Sequence, residues 1–197
     1  MINRFLKLPL LVLALAFAAC LLSLPAAGST QYFASIKNEV VPVAGREYYL
    51  RHTFMYEKGT HNTTNYWRGM LVPINTRAYL ISRGEKSMLL RLSSGETVKI
   101  ENTPHFTRRD MTAIAKRMLS REPVALEQFD KSTIAAIKNG VMKFGMSKEQ
   151  VIMARGYPPG HETPSLDLDT WKYWSSRLVT QSIVFENGML VRGRGIR

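Results

Sequence analysis

The sequence predicts an α+β fold in which a small all-β barrel precedes a unit of two helices and a three-stranded antiparallel sheet. Two observations carry this expectation. Between residues 46 and 101 short apolar runs recur at regular spacing, separated by Gly59, Pro73, Gly84 and Gly95, each of which supplies a turn geometry or stops a strand. From His105 the period becomes that of helices, and it returns to alternation only after Pro158-Pro159.

The expected strands of the first unit, residues 31–104, are 46–57, 66–72, 76–82, 87–92 and 96–101. The plainest hairpin joins Met88-Leu89-Leu90-Arg91-Leu92 to Thr97-Val98-Lys99-Ile100 through Ser93-Ser94-Gly95-Glu96. Val98 and Ile100 alternate with Thr97, Lys99 and Glu101, so one face meets a core and the other meets water. A barrel is favoured over an open sheet because closure removes exposed strand edges.

Residues 105–131 read as a basic helix and a connector. Met111, Ile114, Ala115, Met118 and Leu119 fall at helical spacing, with Arg108, Arg109, Lys116 and Arg117 mostly on the remaining surface. Thr107 and Asp110 have the spacing of a cap pair, and Pro123 ends the segment. The basic face suits an anionic surface or simply water.

Residues 132–197 form the second unit. Ser132–Lys138 makes one helix, with Asn139-Gly140 as its stop. Ser147 and Gln150 have capping-box spacing at the head of a second, which Gly156 and Pro158-Pro159 end. Strands follow at 170–175, 178–185 and 189–192, the last two joined by Glu186-Asn187-Gly188, where Asn-Gly tolerates the positive φ of a tight turn. Trp171 and Tyr173 share one strand face and Trp174 points oppositely.

The first 30 residues set the compartment. Arg4 and Lys7 precede an apolar run from Leu8 to Leu24, and Pro25-Ala26-Ala27-Gly28-Ser29-Thr30 follows, which is the layout of a secretory signal. Phe17-Ala18-Ala19-Cys20 resembles a bacterial lipobox, with Phe17 where leucine is usual, and implies lipidation of Cys20. The rival reading is ordinary cleavage near Ala27–Ser29. Cys20 is the only cysteine, so neither a disulfide framework nor a cysteine metal site is expected.

The whole chain carries a net charge of +12, and without Arg4 and Lys7 it keeps 25 of its 27 basic residues against 15 acidic ones. Such a balance in the cytoplasm would suggest nucleic acid. An exported chain is expected to meet phospholipid head groups, lipopolysaccharide or peptidoglycan carboxylates instead, and no nucleic acid.

Gly145-Met146-Ser147-Lys148-Glu149-Gln150-Val151, Trp171-Lys172-Tyr173-Trp174 and Val184-Phe185-Glu186-Asn187-Gly188-Met189-Leu190 together resemble the SmpA/OmlA (BamE-like) family of small outer-membrane lipoproteins. The likeness covers roughly residues 132–195. It implies the two-helix, three-strand fold for the second unit and an accessory role in an envelope assembly. Asn65-Tyr66-Trp67-Arg68-Gly69 through Pro73-Ile74-Asn75-Thr76 is similar to small bacterial Src-homology-type barrels.

His52, His61, His105 and His161 lack the close spacing of a zinc helix. No serine sits in a Gly-x-Ser-x-Gly elbow, and no glycine-rich loop ends in Gly-Lys-Ser/Thr. His161-Glu162-Thr163 and Asp167-Leu168-Asp169 share a loop that reads as solvated turn residues. No catalytic residue, metal or cofactor is therefore expected. The sequence points to a non-enzymatic envelope protein that binds other envelope components, with Trp174 and the Tyr157-Pro158-Pro159 turn as candidate anchors, because rigid side chains lose little entropy on contact. The alternatives are a peptidoglycan- or anionic-lipid-binding module and an envelope hydrolase with an unrecognised carboxylate pair.

Overall fold

The computed structural model describes Tyr32, Ile36 and residues 40–196. The leader over residues 1–30, with Cys20, lies outside the described residues.

The elements run β1 (Arg46–Leu50), β2 (Phe54–Tyr56), β3 (Thr60–Asn62), β4 (Met70–Val72), β5 (Arg77–Arg83), β6 (Ser87–Leu92), β7 (Thr97–Glu101), α1 (Pro104–Thr107), α2 (Met111–Met118), β8 (Leu119–Ser120), α3 (Lys131–Lys138), α4 (Lys148–Arg155), β9 (Thr170–Ser176), β10 (Val179–Glu186) and β11 (Met189–Gly193). The fold is mixed α+β, as the change of period implies.

The first unit is not a closed barrel. Six strands lie in the order β3-β7-β6-β5-β1-β8, and β2 pairs with β4 in a separate two-stranded ribbon. The cause is a break in the expected 46–57 strand at Arg51-His52-Thr53. There the backbone leaves the sheet: Arg51 N–H still donates in register with β8 to the Met118 carbonyl, but Thr53 N–H turns to the Met153 carbonyl of α4, both at 2.9 Å. A strand whose donors are used in that way cannot continue the ladder that closure needs. At the edges, β3 adds parallel to β7 through Thr60↔Lys99 and Asn62↔Glu101, while β8 places Leu119 and Ser120 against Leu50 and Tyr49 of β1.

The predicted hairpin is present, with Leu90↔Val98 and Met88↔Ile100 directly opposed. These four residues, Leu50, Leu80 and the α2 residues Met111, Ala115 and Met118 form one core. α2 thus belongs with the sheet, and Asp110 alone caps it by accepting from Ala113 N–H at 2.7 Å. Thr107 instead ends α1, after which Arg108 turns the chain at φ 57°.

In the second unit helix, helix and three strands follow in the expected order, and the sheet order is β11-β10-β9. Ser147 and Gln150 complete a reciprocal capping box. Asn187 and Gly188 both take positive φ, 51° and 77°, in the β10–β11 turn. Trp171, Tyr173, Ile183, Phe185 and Leu190 point from the sheet into a second core with Ile137, Val151 and Ile152 of the helices. Burying five such side chains contributes roughly 1.5–3 kcal/mol each. Tyr32 and Ile74, from upstream of both helices, join this core.

Candidate functional site

The two units meet along a seam whose polar groups come from both. Thr53 Oγ1 donates to the Ile137 carbonyl at 2.8 Å. Asn65, held at φ 63°, donates through Nδ2 to the carbonyls of Arg155 (2.6 Å) and Tyr157 (3.1 Å) where α4 ends. Helix C-termini leave carbonyls without intrahelical donors, so a side-chain amide from the other unit completes this one. Gly160 approaches so closely that a Cβ there would strike the Thr107 carbonyl, and the next residue, His161, donates its N–H to Phe106 O at 2.9 Å.

Four aromatic residues and two arginines fill the rest. The Arg155 guanidinium lies 3.9 Å over the Trp67 ring and that of Arg117 lies 4.2 Å over Tyr157. Trp174 stands edge-on to Tyr66 at 6.3 Å and beside His161 at 5.9 Å. Its Nε1 is enclosed with no hydrogen-bond partner among the described residues. Pro158 and Pro159 are buried and Tyr157 is half-buried. The Tyr157-Pro158-Pro159 turn, expected as a candidate anchor, is held at the seam by the Asn65 amide.

His52 and His61 lie buried just behind it. Each Nδ1 faces a carbonyl, Thr53 O at 3.1 Å and Met55 O at 2.7 Å, so Nδ1 carries the proton of the neutral ring. Burial pushes both imidazoles down to about 4, and for His52 the nearby His61, Arg117 and Arg51 charges add to the effect. A cavity of about 30 Å³ touches both rings, Asn65 and Arg117.

A cleft of about 930 Å³ opens along the seam. Its first wall carries Thr107, Arg108, Arg109 and Arg117 from α1, the following turn and α2; its second carries Lys148 and Glu149 from the head of α4, and Tyr157 together with the loop that reaches Asp167. Lys148 is engaged: its Nζ donates to the Asp167 carbonyl at 2.9 Å and pairs with Asp169 at 3.4 Å. Each carboxylate of the lining accepts a serine hydroxyl, Glu149 from Ser147 at 2.8 Å and Asp167 from Ser165 at 3.0 Å. Glu162 of the same loop pairs with Lys172 at 2.8 Å. The ion pairs among the described residues leave out Arg108, Arg109 and Arg117. Burial lowers the Arg117 pKa; Tyr157 opposes that shift and the charge of Arg109 adds to it.

Among the described residues no three His, Cys, Asp or Glu side chains are grouped to hold a metal ion. Sequence reasoning placed the α2 arginines on a surface and assigned no role to Glu149, which is 7 % exposed. For Arg117 a signal existed: three residues after Ile114, it borders the apolar stripe of α2 and therefore faces whatever packs there. For Glu149 there was none, since its burial depends on contacts distant in sequence.

Comparison with family models, with curated proteins and with solved structures finds no match to this chain.

Proposed function

We propose that this chain is an exported, non-enzymatic envelope protein, a binding or scaffold module that holds its partner in the cleft between its two units. The observation that carries the proposal is the makeup of that cleft. Three guanidiniums without ion pairs among the described residues face it, whereas its carboxylates and its lysine are already engaged, an arrangement suited to holding an anionic group. A hydrolase would need an acid and a base free to exchange protons with substrate. Anchoring through a lipid on Cys20 and accessory service in outer-membrane protein assembly or envelope integrity belong to the same proposal. They draw on the lipobox-like segment and on the BamE-like order of elements after residue 131.

A photoreactive side chain at Leu166, in the cleft lining, tests this in intact cells. Cross-linking to a discrete envelope component is expected from Leu166 and not from Glu96, which is exposed outside the cleft. Equal cross-linking from both positions would remove the cleft as the site, and turnover of an envelope substrate by the purified protein would overturn the non-enzymatic reading.

A further inference from the structure

We propose that Arg109 and Arg117 bind the phosphate group of a phosphate ester whose organic part lies along the cleft. This rests on the binding reading above and gives it a ligand chemistry.

The first support is unmatched positive charge. Arg117 projects from α2 into the seam, Arg109 stands on the turn before α2, and both line one cleft with no ion pair among the described residues. Two like charges held near each other raise the free energy of the empty site. Bringing an anion between them turns that repulsion into attraction. The effect of Arg109 on the Arg117 pKa is the expected sign of such proximity.

The second support is preorganisation. The Tyr157 ring lies 4.2 Å from the Arg117 guanidinium carbon and covers one face of it. A stacked guanidinium still offers its edge N–H groups, and its planar fork matches two oxygens of a phosphate or carboxylate. Tyr157 is itself held, since Asn65 donates to its carbonyl at 3.1 Å and its ring meets His52 edge-on at 6.0 Å. Little side-chain entropy is then left to lose at Arg117 on binding.

Charge and size select the class. A phosphate monoester has three terminal oxygens and close to two negative charges, enough to neutralise two guanidiniums, while a carboxylate carries a single charge. A cleft of about 930 Å³ greatly exceeds an inorganic phosphate and has the volume of a site for a small organic molecule.

Calorimetric titration of the full chain with glycerol phosphate, inorganic phosphate and acetate, all at one ionic strength, tests the assignment. Flotation with phosphatidylcholine vesicles, with and without phosphatidic acid, whose phosphate is a monoester, separates a lipid head group from a soluble ester. Saturable binding of glycerol phosphate is expected, tighter than that of inorganic phosphate and with acetate weakest. Arg109→Gln and Arg117→Gln are each expected to weaken it by about ten-fold or more, the loss of a charged hydrogen-bond pair. Arg117→Lys should restore part of the affinity, and Arg91→Gln, on the exposed side of β6, should leave it unchanged. Arg109 is exposed, so its variant keeps the fold even if the Arg117 variant does not. Vesicle binding only with phosphatidic acid, abolished by Arg109→Gln, supports the same site acting on a head group. No saturable binding by any phosphate probe, equal affinity for acetate, or equal loss with Arg91→Gln would overturn the proposal. Cross-linking from Leu166 that persists in an Arg109→Gln, Arg117→Gln double variant would keep the binding reading and reject the phosphate.

Discussion

The guanidinium of Arg155 covers the ring of Trp67 at 3.9 Å, joining the last residue of α4 to the segment before β4. Gly140, at φ 66°, closes on the same ring, where a Cβ would collide with its six-membered edge. Trp67 is thus wedged between the end of α3 and the end of α4.

Gly140→Ala is therefore expected to lower stability by about 2–5 kcal/mol, from left-handed backbone strain together with overpacking. In a Trp67→Ala background the collision is gone, and only the backbone share of about 1–2 kcal/mol should remain. A double-mutant cycle by denaturant unfolding reads this difference. Additive effects would mean that the ring and the glycine do not meet.

Asn65→Asp should be worse than Asn65→Ala. The alanine leaves two carbonyls of the α4 terminus without their donor, at about 1–3 kcal/mol. The aspartate also sets a buried carboxylate, 3 % exposed in the parent residue, against those carbonyl oxygens. Thermal unfolding at pH 7 ranks the two variants.

Trp171, fully buried against Phe185 at a ring separation of 4.7 Å, is expected to cost about 3–5 kcal/mol on truncation to Ala. Its Nε1 has no hydrogen-bond partner, so Trp171→Phe gives up no hydrogen bond and should retain much more of the stability. Equal losses for the two variants would indicate an indole partner that the geometry does not contain.

Stability should fall as the pH drops from about 6.5 to about 4. His52 and His61 titrate near 4 in the fold against 6.5 when unfolded, so across that window the unfolded chain binds more protons. Each pKa unit corresponds to about 1.4 kcal/mol, and the two rings together lower stability by several kcal/mol. The double variant His52→Gln, His61→Gln should flatten the dependence of unfolding free energy on pH between those limits. An unchanged slope would place its origin in other groups.

Metabolic labelling with a tagged fatty acid should mark the parent chain and not Cys20→Ser. Equal labelling, or a mature N-terminus near Gly28, would exclude the lipobox.

The sequence was most legible where its signals are local. Ser147 and Gln150 sit three residues apart and form the cap they imply; Asn187-Gly188 turns the chain as Asn-Gly does; Trp171 and Tyr173 alternate into the core as their spacing requires. β3 gave no such signal. Thr-His-Asn has little apolar character, and its parallel partner β7 lies nearly forty residues away. The break at Arg51–Thr53 was equally hidden, because the carbonyls that receive its donors belong to Met118 and Met153. The same distance effect governs the site. Arg117 could be placed beside an apolar stripe, but its stacking on Tyr157 depends on how α2 and the turn after α4 come together.

The seam also sets a timetable. A growing chain delivers the groups of the first unit long before their partners, and at about 5–20 residues per second roughly 100 residues separate Thr53 from Met153 by some 5–20 seconds. Through that interval the Thr53 amide, the Asn65 side chain and the Trp67 ring await the carbonyls and the guanidinium of a helix not yet synthesised. A chain halted before residue 150 would leave those groups without the partners they meet in the complete fold.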